Sequence, residues 1–117
     1  MDKPLDRAEI LQEALKIITG DRTQQYGEPE DSFSCIADLW STFLTYSLAQ
    51  PVTIMPHEAG IMLALMKIAR LATSTGLGTP DTYIDLAGYA ACAGESSAIE
   101  AYTLAKEDQE NLMEESK

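Results

Sequence analysis

Apolar residues recur every three to four positions along almost the whole chain, which is the period of an α-helix. The first such stretch runs from Asp6 to Gly20, with Asp6 and Glu9 at capping-box spacing and Gly20 as a typical helix stop. Its apolar stripe consists of Leu11, Ala14, Leu15 and Ile18. No run of alternating β-branched residues predicts a strand. The pattern therefore predicts an all-α fold.

Two more helices follow from the same reasoning. The second is predicted from about Glu30 until the chain reaches Pro51, because proline cannot continue a helix. Its apolar side consists of Phe33, Ile36, Ala37, Trp40, Phe43 and Leu44. The third is predicted from Pro56, a good first-turn residue, to about Ser74.

A fourth helix is predicted from Asp81 to about Ala105, after a threonine cap and a first-turn proline. It is rich in Ala, Gly and Ser, which lets helix backbones approach closely. The residues after Lys106 are acidic and are predicted to fray. We therefore assign residues 1–106 to one all-α domain, a compact four-helix bundle, and residues 107–117 to an acidic C-terminal tail.

Length and charge restrict the partners. A chain of 117 residues can bury only a modest core, so burial of surface against a second copy is expected, as a dimer or a higher homo-oligomer. The formal net charge of −11 argues against duplex DNA, RNA or an anionic membrane, because binding to phosphate backbones needs a basic surface. A small anionic ligand is compatible with a local positive site.

The cysteines and the hydropathy pattern indicate a compartment. Cys35 and Cys92 lie in helical segments without a CxxC motif or a nearby histidine ligand, so buried, reduced thiols are predicted. The chain has no signal segment and no apolar run near 18 residues. We therefore expect a soluble, cytoplasmic protein.

The two cations of the predicted third helix are the most informative residues. Lys67 and Arg70 are the only basic residues between Thr23 and Ala105, and their spacing places them on one helix face. Burying them without an anionic partner would cost several kcal/mol each. Their partner is therefore either a phosphorylated ligand or one of the acids of the chain, of which the candidates are Glu58, Asp81 and Asp85.

The same acids are candidates for a metal site. Asp81 and Asp85 are one helical turn apart, and with Glu58 they could hold Mg²⁺ through oxygen ligands and waters. The alternative is that Asp81 only stabilises the helix start, while Asp85 pairs with Lys67 or Arg70 in a buried ion network. Residue spacing leaves both interpretations open.

Three motifs together resemble a family of small uncharacterised phage and prophage proteins. They are the loop in which Arg22 is followed by Tyr26-Gly27-x-Pro29, the Lys-x-x-Arg-Leu helix at 67–71, and the Asp-x-x-x-Asp-x-Ala-Gly-Tyr helix at 81–89. The resemblance spans about residues 9 to 95. The last two motifs also resemble phage nucleotide-modification-associated domains and, more distantly, MazG-like all-α nucleoside triphosphate pyrophosphohydrolases.

The resemblance to the MazG-like enzymes implies a helical oligomer that binds Mg²⁺ through carboxylates and splits a nucleoside triphosphate into monophosphate and pyrophosphate. Asp85 matches the acid of the fourth-helix motif, and Lys67 and Arg70 match the basic pair of the Lys-x-x-Arg-Leu helix. The loop residues that match are Arg22, Tyr26 and Gly27. The Glu-Glu-x-x-Glu helix and the Glu-x-x-Asp pair of those enzymes are missing.

Three functions follow as hypotheses. The first is a Mg²⁺-dependent pyrophosphohydrolase in which Glu58, Asp81 and Asp85 hold the metal, with Asp85 and Glu58 catalytic. In this hypothesis Lys67 and Arg70 neutralise the phosphates. The loop residues Arg22, Tyr26 and Gly27 bind the base or ribose. The second is a non-catalytic phage anti-defence protein that sequesters a nucleotide second messenger such as a cyclic oligonucleotide. The third is an acidic protein-interaction module.

Overall fold

The computed structural model describes residues 3–20 and 28–116, and within these ranges the chain forms four α-helices and no strand. They are α1 (Arg7–Thr19), α2 (Pro29–Leu48), α3 (Pro56–Thr73) and α4 (Pro80–Glu115). The predicted all-α fold is confirmed. None of the helices in the described ranges is both long and apolar enough to cross a bilayer.

The helices begin where local chemistry favours a start. At α1 the Glu9 backbone N–H donates to Asp6 Oδ1 at 2.8 Å, and the Asp6 N–H donates to Glu9 Oε1 at 3.4 Å. This confirms the predicted capping box. Each of the other three helices has a proline in its first turn, at Pro29, Pro56 and Pro80.

Helices α3 and α4 pack antiparallel along their shared length. Lys67 of α3 pairs with Asp85 of α4. Nearly three turns earlier along α3, His57 contacts Glu100, which lies about four turns later along α4. Between them, Gly60 lies against Ala93 and the ring of Phe33. Small residues at this level allow α2, α3 and α4 to meet closely, as the Ala- and Gly-rich composition of α4 predicts.

The fully buried apolar core is small. It consists of Ala14, Phe33, Ala37, Ala59, Ile84 and Ala93, of which four are alanine. Phe33, Ala37 and Ala59 form its centre, with partly buried neighbours such as Trp40 and Leu63 around them. Much of the apolar surface of the helices is therefore left exposed in the single chain.

The last helix is longer than the sequence predicts, and the residues after Lys106 do not fray. Helix α4 passes through Lys106 without a break and continues to Glu115. Its sequence after Gly94 contains no glycine or proline and is rich in Ala, Glu, Leu and Met, which are strong helix formers. The molecule therefore measures 70 × 35 × 24 Å, with a radius of gyration of 18.2 Å. A compact 100-residue domain has about 13 Å.

Hydroxyl groups of α2 hold the connection to α3. Ser41 Oγ accepts the Ile54 N–H at 2.7 Å. Thr45 Oγ1 accepts the Val52 N–H at 3.0 Å and lies 3.1 Å from the Val52 carbonyl oxygen, to which it donates. The connection therefore runs back along α2, and its backbone polar groups are satisfied by side chains instead of a strand partner.

Replacing Thr45 with valine is expected to lower the free energy of unfolding by about 1–2 kcal/mol. The substitution keeps the shape but leaves the N–H and C=O of Val52 without partners. Urea denaturation followed by circular dichroism measures the loss. The matched control is Thr42→Val, because exposed Thr42 only donates to Asp38 O within its own helix. Equal stability of the two variants would contradict this role of Thr45.

Candidate functional site

One of the two cations of α3, Lys67, forms a salt bridge with one of the three candidate acids, Asp85. Lys67 Nζ lies 3.0 Å from Asp85 Oδ2, and the two side chains are 11% and 20% exposed. The other cations in the described residues are exposed, namely Lys3, Arg7, Lys16, Arg70 and Lys106. The pairing of Asp85 with Lys67, which residue spacing left open, is therefore present in the structure.

Arg70 lies one helical turn beyond Lys67 and is exposed. Within the described residues it forms no salt bridge. Because α3 and α4 are antiparallel and Lys67 pairs with Asp85, Arg70 lies toward the end of the helix pair where α4 begins. The guanidinium is therefore available to solvent or to a ligand.

Glu58, the third acid of the predicted metal site, has a local role. Its Oε1 accepts the Met55 N–H at 3.0 Å, which caps the start of α3. Glu58 precedes Lys67 by nine residues, or about 13 Å along the helix axis. The structure therefore does not bring Glu58 together with Asp85 within one chain.

The arrangement of the described acids does not fit the Mg²⁺ site expected from the sequence. Across residues 3–20 and 28–116, no three His, Cys, Asp or Glu side chains are grouped closely enough to hold a metal ion. Asp81 is exposed at the first turn of α4, while Asp85 is engaged by Lys67.

A second polar contact between the helices lies at the other end of the α3–α4 pair. His57 Nδ1 is 2.7 Å from Glu100 Oε2, and both side chains are less than a third exposed. No local signal could have found Glu100, because it lies 43 positions away in the chain.

A cleft of about 390 Å³ opens where α1 ends and α2 begins, beside α4. Its lining consists of Ile18, Thr19, Glu28, Pro29, Ala91, Cys92 and Glu95. Burial and the nearby Glu95 carboxylate raise the pKa of the Cys92 thiol, so it stays protonated at neutral pH. Two carboxylates make this cleft unfavourable for phosphate groups.

Three predicted site residues, Arg22, Tyr26 and Gly27, lie outside the described residues. Their role as a loop that contacts a base or ribose stays a prediction. Of the predicted site residues in the described ranges, the structure brings Lys67 and Asp85 together, places Arg70 one turn away, and separates Glu58 from all three.

A family model described as "Domain of unknown function (DUF6378)" matches residues 9–97. The chain belongs to this family. The matched range includes all three motifs on which the resemblance to small phage proteins rests. The match therefore assigns the chain to a family but does not indicate a function.

Two phage proteins are similar to the chain. The "Gene 55 protein" of Mycobacterium phage D29 is 37% identical over 83 residues, which are 71% of the chain and 50% of that protein. The "Gene 55 protein" of Mycobacterium phage L5 is 36% identical over 81 residues, 69% of the chain and 47% of that protein. The chain spans about half the length of these relatives. No solved structure gives a significant match.

Proposed function

We propose that the chain is a phage-type nucleotide-binding protein that holds the phosphate groups of its ligand at the Arg70 end of the α3–α4 pair and does not hydrolyse them. The observation that carries the proposal is the charge arrangement on α3. Lys67 is neutralised by Asp85, whereas Arg70, one turn away, has no ion-pair partner among the described residues. This leaves the Arg70 guanidinium as an exposed cation without an ion-pair partner in the described part of an acidic chain.

Donor geometry supports phosphate at this position. A guanidinium offers a planar fork of N–H donors that matches phosphate oxygens. Lys67 Nζ has three N–H donors and contacts one Asp85 oxygen, so it can donate further to a ligand beside Arg70. In this arrangement Asp85 is a positioning residue that orients the Lys67 ammonium.

We propose that the nucleotide is bound without being hydrolysed, because the carboxylates that could hold a metal lie apart from one another. Metal-assisted hydrolysis needs several carboxylates converging on one site. Here Asp85 is engaged by Lys67, and Glu58 caps the far end of α3. The MazG-like pyrophosphohydrolase is accordingly the alternative outcome of the test. A nucleotide-binding role would place the protein in the cytoplasm of an infected or lysogenic host.

The test is retention of nucleotides by the full chain. The purified protein is mixed with nucleoside triphosphates, deoxynucleoside triphosphates and cyclic oligonucleotides, then filtered, and both fractions are analysed by ion-exchange chromatography. We expect one class to be retained unaltered, with or without a chelator. Arg70→Ala should weaken binding about tenfold or more, since charge-assisted hydrogen bonds are lost.

The matched control is Lys16→Ala, which removes an exposed cation from α1. If it weakens binding as much as Arg70→Ala does, the attraction is general and the assigned site is wrong. Release of monophosphate and pyrophosphate would overturn binding without turnover and establish the hydrolase. Passage of every nucleotide through the filter would overturn the nucleotide proposal.

A further inference from the structure

One segment of the chain carries no charge. Residues 39–56, which we call the uncharged arm, contain no Asp, Glu, Lys, Arg or His, although the formal net charge of the whole chain is −11. The arm comprises the second half of α2 and the connection to α3. Its exposed large side chains are Leu39, Phe43, Tyr46 and Leu48, at 64%, 68%, 83% and 55%.

Helix α2 has two apolar faces. Phe33, Ala37 and Trp40 face the core. Leu39, Phe43 and Tyr46 follow the i, i+4, i+7 spacing of a second stripe, about a third of the way around the helix from the first. A helix that is apolar on both faces is stable only when both are covered. The described residues of the chain cover only one of them.

The outer apolar face of α2 needs a partner at all times, because the single chain buries too little apolar surface. Among the residues that the structure describes, four of the six buried apolar ones are alanine. An occasional partner would leave the fold without this burial for most of the time. The partner that is present whenever the chain is present is a second copy of it.

We propose that two copies of the chain associate through the outer faces of their uncharged arms. A stripe on one helix is self-complementary about a two-fold axis, as a symmetric dimer requires. Leu39, Phe43 and Tyr46 from each copy would together bury on the order of 1,000 Å², which meets the lower limit for a biological interface. This proposal is independent of the nucleotide-binding one.

Charge favours this surface over the others. Two chains of net charge −11 repel each other, and the end of α4 would place carboxylates against carboxylates. Those acids are Glu107, Asp108, Glu110, Glu114 and Glu115, all of them exposed. The uncharged arm lets the copies meet while the acids stay in solvent.

Sedimentation equilibrium of the full chain tests the proposal. We expect a mass of twice 12.8 kDa, and a dissociation constant raised about a hundredfold or more by Phe43→Glu, which would bury a charge. The matched control is Leu112→Glu, because Leu112 is equally exposed, at 67%, but lies on the acidic end of α4. This control should leave the mass unchanged.

Each other outcome has a defined meaning. A wild-type mass of 12.8 kDa at every concentration, with a thermal midpoint independent of concentration, overturns the proposal. A multimer that withstands Phe43→Glu places the contact elsewhere and also overturns it. If Phe43→Glu does not fold, Tyr46→Lys decides the question, since Tyr46 is 83% exposed in the single chain. A folded monomer supports the proposal, and an unchanged multimer overturns it.

Discussion

Replacing Asp85 with alanine is expected to lower the free energy of unfolding by about 3 kcal/mol. The change leaves the Lys67 ammonium, whose side chain is only 11% exposed, without its partner at 3.0 Å. A buried unpaired charge is penalised more than the intact pair is rewarded, because the desolvation cost stays while the attraction is lost. Urea denaturation of the full chain, followed by circular dichroism, measures the change.

Two further variants make this result specific. Lys67→Met combined with Asp85→Leu should recover most of the stability, because replacing both members of a buried pair by apolar residues is often neutral. Asp81→Ala, on the exposed first turn of α4, should cost less than about 1 kcal/mol. If Asp85→Ala unfolds at the same urea concentration as the wild type, the pair is not structural.

Replacing Gly60 with valine is expected to destabilise the chain by about 3 kcal/mol. A Cβ at this position would lie 2.7 Å from Phe33 Cε2 and 2.9 Å from Ala93 Cβ. Helix propensity alone favours most residues over glycine, by up to about 1 kcal/mol. Overpacking outweighs this gain because the space is bounded by a buried ring and a helix. Urea denaturation compares the variant with the wild type.

The matched control is Gly94→Ala in the middle of α4. A Cβ added at Gly94 has no heavy atom within 4 Å, so only the propensity term acts. This variant should gain about 0.5–1 kcal/mol. Equal stability of Gly60→Val and the wild type would mean that the close approach of α2, α3 and α4 relaxes without cost.

Much of the secondary structure could be predicted because helix starts depend on residues within one turn. Asp6 and Glu9 form the capping box that their spacing predicts, and Pro56 starts α3 as expected. The extent of α4 was predicted less well. Acidity after Lys106 was interpreted as fraying, whereas the strong helix formers in that segment continue the helix to Glu115.

The candidate site could be predicted only as a set of alternatives. The presence of Lys67 and Arg70 in an apolar helix indicates that an anion is needed, and Glu58, Asp81 and Asp85 were equally available partners by residue spacing alone. In the structure Lys67 pairs with Asp85, and Arg70 has no ion pair among the described residues. Glu58 lies at the opposite end of α3, where it caps the helix.

There is a physical reason why some of these features can be predicted from the sequence and others cannot. Helical period, caps and breakers are interactions between residues at most a few positions apart, so the amino-acid order contains them. Asp85 lies 18 positions after Lys67, and Glu100 lies 43 after His57, so these contacts exist only through the antiparallel register of α3 and α4. The same register makes Gly60 a packing residue, and the described residues leave the outer face of α2 uncovered, which no local pattern could have specified.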